Sequence, residues 1–346
     1  MRFRSTLLAP LAALLSLAAC ADQSSPSPTA PLGTPQAVLV PSRGGDRVAS
    51  IEWEGSTPRL YLQNLDGTDR VRVSFAHVSD HVQGNYSPRQ LPVTDESLMR
   101  ISRVRWSPDG RYLAAIVAPA SDALQVVLVS ADGRAMRTVS PNSQYLWGNV
   151  DWSPDASRIA YIMATGPFGL RPDIFVTKLG PDEVTRVTTG ARLSGYDAIR
   201  FDSKGGRILF TEHLGWADDG ENSLSRLASV DLATGTITRG EEVVGEPQGF
   251  ARDGSWALFI RTVSFAPYTR ELFSLPSGGG RATVLASGSL GSADVAENDR
   301  EAVLSSWSDD GTATFSVIGL GQPGDGREEL ATTPSTTWAS LWRAPK

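Results

Sequence analysis

Val104-Arg105-Trp106-Ser107-Pro108-Asp109-Gly110 decides the fold, because the chain repeats it. Val150-Asp151-Trp152-Ser153-Pro154-Asp155-Ala156 follows, and weaker echoes stand at Ile199-Arg200-Phe201-Asp202-Ser203-Lys204-Gly205 and Gly249-Phe250-Ala251-Arg252-Asp253-Gly254. A degraded copy lies at Val295-Ala296-Glu297-Asn298-Asp299 and a last one at Leu341-Trp342-Arg343-Ala344-Pro345. With the aromatic position as reference (106, 152, 201, 250, 296, 342), the copies are spaced by 46, 49, 49, 46 and 46 residues. Self-similarity at such a period marks an array of like supersecondary units.

The second unit shows the internal pattern most plainly. Ile101 to Trp106, Tyr112 to Ala118, Leu124 to Ser130 and Ala135 to Ser140 are apolar or alternating runs of strand length, separated by a Ser-Pro-Asp-Gly turn, a short loop and an Asp132-Gly133 turn. Pro presets the first central dihedral of a tight turn and Gly tolerates positive φ, so the chain reverses between antiparallel strands. Four-stranded units at this spacing are propeller blades. No long 3.6-residue periodicity competes, which excludes helical solenoids.

The ends complete the count. Arg47 to Ile51 and Leu65 to Val71 match the second strand and the third-to-fourth turn of a blade that lacks its own first strand. That strand stands at the C-terminus, Thr337-Trp338-Ala339-Ser340-Leu341-Trp342. The expectation is an all-β, six-bladed propeller over residues 38–346, closed by the C-terminal strand joining the first blade and hiding its edge. Val38-Leu39-Val40 is the alternative occupant of that place.

The Trp-Ser-Pro-Asp-Gly turn, the apolar strand after it and the Asp-Gly turn resemble the repeat of the TolB-type (WD-repeat-like) propeller, also found in the propeller portions of dipeptidyl peptidase and prolyl oligopeptidase relatives. The resemblance covers roughly residues 38–346. It implies the fold; propellers of this kind serve many roles. TolB carries a small α/β domain before its propeller, where this chain has only a Ser/Pro-rich segment.

That segment follows an address. Arg2 and Arg4 precede an apolar stretch from Leu7 to Ala19, the layout of a secretory signal rather than a membrane span. It ends in Leu17-Ala18-Ala19-Cys20, which resembles the bacterial lipobox, and Cys20 is the one cysteine of the chain. Residues 1–19 are expected to be a lipoprotein signal peptide, and residues 20–37 a lipidated Cys20 with a Ser/Pro tether. At about 3 Å per residue, roughly fifteen such residues hold the body up to about 45 Å from a bilayer. The expected location is extracytoplasmic, lipid-anchored to a bacterial membrane.

Composition narrows the partners. Thirty-two Lys and Arg against 38 Asp and Glu give a formal charge of -6, without a basic block, so the footprint of nucleic-acid binding is missing. A single cysteine builds neither a disulfide nor a thiolate metal site.

Several motifs invite chemistry. No Gly-x-Ser-x-Gly elbow occurs. Gly319-Leu320-Gly321-Gln322-Pro323-Gly324 has the spacing of a phosphate loop but leads into another short strand instead of a helix, so it is expected to be a blade turn. His77 and His81 lack the Glu that a helical zinc pair requires. No cofactor is expected. Asp218, Asp219 and Glu221 form an oxygen-rich cluster that is the best candidate for a weak calcium site. Asp109, Asp155, Asp253 and Asp299 recur at turns and are expected to cap backbone amides.

Loop lengths indicate where binding occurs. The Ser-Pro-Asp-Gly face is trimmed to tight turns, whereas His77 to Arg100, Ala164 to Pro172, Glu212 to Leu224 and Thr262 to Thr269 form longer connections on the opposite face. They carry Tyr86, Phe168, Arg171, Trp216, Phe265 and Tyr268, residue types enriched at binding hot spots. The expected function is a non-enzymatic, monomeric scaffold that binds a protein or cell-wall component through this face. The alternative is a propeller enzyme acting on a sugar or lactone over the central channel. That alternative requires carboxylates or His gathered from several blades, and the equivalent inner-strand positions hold Arg105, Asp151 and Arg200, then Gly249, Val295 and Leu341.

Overall fold

The computed structural model describes residues 46–75, 93–95, 97–120, 123–141, 146–165, 171–181, 183–189, 191–193, 197–308, 310–320, 327–330 and 336–343. Residues 1–45, with the expected signal peptide, Cys20 and the expected tether, lie outside the described residues.

Six four-stranded antiparallel sheets form the ring. The first blade contains β1 (Arg47–Glu54), β2 (Thr57–Asn64) and β3 (Val71–Arg72), and the second β4 (Arg100–Trp106), β5 (Tyr112–Ala120), β6 (Ala123–Ser130) and β7 (Met136–Thr138). The third comprises β8 (Leu146–Trp152), β9 (Arg158–Thr165), β10 (Arg171–Lys178) and β11 (Glu183–Arg186), the fourth β12 (Ile199–Phe201), β13 (Arg207–Trp216), β14 (Ser223–Asp231) and β15 (Ile237–Val244). The fifth holds β16 (Glu246–Phe250), β17 (Trp256–Phe265), β18 (Tyr268–Pro276) and β19 (Thr283–Gly288), and the sixth β20 (Leu290–Val295), β21 (Glu301–Trp307), β22 (Ala313–Gly319) and β23 (Glu328–Glu329). The last strand, β24 (Thr336–Trp342), returns to the first blade and pairs with β1, Arg47 opposite Trp342 and Ala49 opposite Ser340. The innermost place of blade one thus belongs to β24, which overturns the alternative that Val38-Leu39-Val40 fills it.

The packing follows from strand periodicity. Successive side chains of a strand point to opposite faces of its sheet, so each blade feeds two cores. Leu113, Ala115 and Val117 pack with Ile51, Leu60 and Leu62 of blade one, whereas Ala114, Ile116 and Ala118 pack with Trp152, Ile159 and Tyr161 of blade three. Six such clusters run round the ring, and the one joining blades six and one contains Val48, Phe315, Val317, Ala339 and Leu341. The reference aromatics Trp106, Trp152 and Phe201 are wholly buried in these clefts. Trp152 Nε1 also donates to the Arg105 carbonyl of the preceding blade at 3.1 Å.

The tight turns work as the motif implies. Asp109 Oδ1 accepts from the Ser107 hydroxyl at 2.6 Å and from the Arg111 amide at 3.1 Å, and Asp155 repeats this with Ser153 and Ser157. Four residues after the reference position the backbone turns left-handed, at Gly110, Ala156, Gly205 and Gly254. In blade six that place is taken by Asp299, at φ 58°. The aligned strand end there is Val295 rather than Ala296, a one-residue correction to the repeat. Asn298, not Asp299, caps this turn, accepting from the Arg300 amide at 2.9 Å.

Candidate binding face and central channel

The corrected register changes the channel. One residue before each strand end stand Arg105, Asp151, Arg200, Gly249, Asp294 and Leu341, so blade six contributes Asp294 where Val295 was expected. Arg105 Nη1 donates to Asp294 Oδ1 at 2.8 Å, and its Nε lies 2.9 Å from Glu297 Oε1 and 3.3 Å from Asp151 Oδ1. Arg252 pairs with Glu297 and Asp151 and donates from Nη1 to the Trp152 carbonyl at 2.9 Å. Arg200 reaches Asp299, whose other oxygen accepts the Arg252 amide at 2.8 Å. Asp299 is therefore not a turn cap but a link in a buried network that ties blades two to six together.

Opposed effects set the ionisation of this network. Burial alone would raise the Glu297 carboxyl, but Arg252, Arg105 and Arg200 outweigh it and hold the group down to about 2. Burial likewise works against the Arg105 charge, and Glu297, Asp294 and Asp151 reverse the balance and raise it. Arg200 is lowered to about 10 by burial, with Arg105 and Arg252 adding repulsion. Asp294 is raised by burial, which its arginine neighbours do not fully offset. Arg252 and Glu297 were missed in the sequence, although a signal existed. Both occupy the place of Pro108 and Pro154 in the turn motif, and adjacent blades departing there with opposite charges mark a channel contact.

The outer surface divides in two. The first-to-second and third-to-fourth turns lie on one face; the second-to-third hairpins and the connections between blades lie on the other. Among the described residues, ten large hydrophobic side chains are exposed, and only Val71 and Val284, at starts of fourth strands, belong to the turn face. The rest sit at the hairpin face, led by Trp216 at 67 %, Phe265 at 59 %, Met99 at 55 % and Trp307 at 50 %. Trp53, Trp216, Phe265 and Trp307 all stand at or next to the end of a second strand, in the neighbouring blades one, four, five and six.

Two expected loops prove to be strands. β13 and β14 carry the hairpin out to residues 217–222, and β17 and β18 leave only residues 266–267 between them, so Trp216, Phe265 and Tyr268 ride on paired backbone. The two hairpins are joined: Asn222 Nδ2 donates to the Thr262 carbonyl at 3.0 Å, and the Thr262 amide donates to Asn222 Oδ1 at 2.8 Å. The Trp216 ring meets His213 edge-on, and Phe265 lies 6.0 Å from Tyr268. Tyr86 and Phe168 lie outside the described residues, and of Arg171 only the backbone at the start of β10 is described.

Asp218, Asp219 and Glu221 do not converge. Asp219 Oδ1 accepts the Glu221 and Asn222 amides, each at 2.9 Å, and Oδ2 accepts Asn222 Nδ2 at 2.7 Å, so this carboxylate is spent on its own turn. Among the described residues, no three His, Cys, Asp or Glu side chains are grouped to hold a metal ion.

The chain superposes on TolB of Acinetobacter baumannii with a TM-score of 0.63, at 15% identity, over 87% of this chain and 67% of that one. A chain of a nidogen/laminin complex matches with a TM-score of 0.57 at 12% identity, over 87% of this chain and 99% of that chain. A candidate TolB from Agrobacterium tumefaciens matches with a TM-score of 0.50 at 14% identity, over 87% and 95% of the two chains. The fold is the TolB-type six-bladed propeller. No family model and no curated protein sequence matches the chain.

Proposed function

We propose that this protein is a lipid-anchored, extracytoplasmic scaffold whose propeller binds a protein of the cell envelope through its hairpin face, without chemistry of its own. The observation that carries this reading is the sorting of exposed aromatic side chains onto one face. Soluble proteins rarely gather such residues without a partner to cover them. Rigid presentation adds to it, since the Asn222–Thr262 bonds order the patch before binding and lower the cost of association. A chain of the same fold comes from a nidogen/laminin complex.

The four channel carboxylates each meet an arginine, which favours a structural role for them over the sugar or lactone enzyme.

Two experiments test the reading. Changing Cys20 to Ser is expected to move the protein from the membrane to the soluble fraction; retention on membranes would defeat the lipobox. Trp216→Ala combined with Phe265→Ala is expected to weaken capture of the crosslinked partner by about tenfold or more, the scale of hot-spot residues. Both side chains are exposed, so the unfolding free energy should stay within about 0.5 kcal/mol per site of the parent. Equal loss of binding and stability would mean that the aromatics pin their own hairpins.

A further inference from the structure

The exposed aromatic side chains of blades four, five and six stand on one connected frame. Asn222, at the tip between β13 and β14, bonds the Thr262 backbone of β17 in both directions. Arg270 of β18, two residues beyond Tyr268, donates from Nη1 to the Gly291 carbonyl of β20 at 2.7 Å. The Trp307 indole lies against the same Gly291, where a Cβ would stand 3.0 Å from Nε1. Trp216, Phe265, Tyr268 and Trp307 are thus held across three neighbouring blades, each between 46% and 67% exposed.

Charge on this arc is one-sided. Its three tips, residues 213–224, 263–269 and 305–314, carry Asp218, Asp219, Glu221, Asp309 and Asp310 and neither Lys nor Arg, although the chain has 32 of these. The arginines at the bases of the hairpins are already matched: Arg226 faces Glu242, Arg261 faces Glu271 and Arg270 faces Glu246. Arg192, in the connection entering blade four, meets the hairpin through its carbonyl at the His213 amide, three residues short of Trp216. Asp218, Glu221 and Asp310 are exposed and, among the described residues, have no Lys or Arg within ion-pair distance. The tip carboxylates also hold their charge. The Ser308 hydroxyl and the Thr312 amide keep the Asp310 carboxyl down to about 2, and Asn222 with the Glu221 amide lowers that of Asp219.

This combination selects the partner's chemistry. The faces of aromatic rings attract cations, and carboxylates around them add a negative potential that steers and orients a positive partner. The same charges oppose an anionic membrane surface, which recruits basic segments rather than acidic ones. A neutral apolar partner would cover the rings but strip water from carboxylates without returning a donor to them. Resting on the docking role proposed above, we infer that the arc over blades four to six takes a cationic segment of the partner protein. Its aliphatic or aromatic side chains cover Trp216, Phe265 and Trp307, while Lys or Arg side chains among them reach Asp218, Glu221 and Asp310.

Titration calorimetry of the full chain tests this with a peptide of repeated Lys-Ser-Leu units and its counterpart with Glu in place of Lys. The basic peptide should bind saturably and the acidic one about tenfold more weakly or worse. Added salt should weaken the basic peptide severalfold, because exposed charges are screened over about 8 Å at physiological ionic strength. Asp218→Asn, Glu221→Gln and Asp310→Asn combined should weaken it by about three- to tenfold. The thermal transition should not move, since all three sites are exposed and Asn at 310 keeps an acceptor for its turn. Capture of the crosslinked partner separates this inference from the reading beneath it. Loss in both the neutralised variant and the Trp216→Ala, Phe265→Ala variant supports the cationic segment. Loss in the aromatic variant alone keeps the docking face and overturns the cationic segment; loss in neither overturns both. Equal binding of the two peptides would also overturn it. So would saturable binding to phosphatidylcholine vesicles, or self-association of the chain, that the aromatic variant abolishes, since the face would then belong to a membrane or to a second copy.

Discussion

Glu297→Gln is expected to destabilise the ring by about 3–5 kcal/mol, the scale of removing one partner from a buried ion pair. Its carboxylate is held between Arg252 and Arg105, two guanidinium groups almost wholly buried themselves. The neutral amide leaves both cations with less than their balance of negative charge at sites almost wholly removed from solvent. An exposed pair provides the contrast. Arg226–Glu242 lies on the surface, and its loss should cost under about 1 kcal/mol. The effect of Glu297 also carries a pH signature. A carboxyl held at about 2 in the folded chain against an ordinary 4.5 binds fewer protons folded than unfolded. Its contribution is complete above the unfolded value and is lost as pH falls toward the folded one. The gap between parent and variant should therefore stay constant from neutral pH down to about 5 and narrow between about 4.5 and 2. Asp294 acts in the opposite sense: its raised carboxyl favours folding below its ordinary value, and that contribution is lost as pH rises through the folded one. Denaturant unfolding of parent and variant at neutral pH and near pH 3 measures both effects. A neutral-pH difference under about 1 kcal/mol would mean that the network relaxes around the amide.

The ring was legible because its most constrained residues carry the repeat. Trp106 and Trp152 fill clefts between blades and the Ser-x-Asp-Gly turns tolerate few alternatives, so packing and backbone geometry hold both in place. Where the constraint is shared differently, the reading slipped. Blade six has no aromatic at the strand end, and Asp299 stands in the left-handed place that glycine occupies in blades two, four and five. The repeat was then set one residue late, and a one-residue slip turns every side chain to the other face. Asp294 was hidden in this way, and with it the balance of the channel. The hairpin extensions were hidden for another reason. Thr262 to Phe265 alternates polar and apolar as a strand does, but both of its faces meet solvent, so burial leaves no mark. Trp53 and Trp307 escaped notice because they close short strands instead of standing in long insertions.

Ending the chain before residue 336 is expected to abolish cooperative folding. β24 buries Trp338, Ala339 and Leu341 and pairs with β1 along nearly its whole length. Losing this burial and the backbone pairing costs on the order of 5 kcal/mol or more, against a typical total of about 5–15 kcal/mol. The deletion also uncovers the edge of β1 at the centre of the ring, where Val48 and Ala49 now contact β24 and its neighbours. An exposed apolar edge invites pairing with another chain, so the truncated protein should aggregate or expose hydrophobic surface. A graded version removes only packing: Leu341→Ala, at a wholly buried site between blades six and one, should cost about 2–5 kcal/mol. A synthetic peptide of residues 336–343 added during refolding should restore a sharp transition, because the missing piece is a strand and not an interface spread through the fold. A truncated chain that unfolds at the parent's midpoint would show that another segment, such as residues 38–40, can take the innermost place and that the ring does not depend on its C-terminal strand.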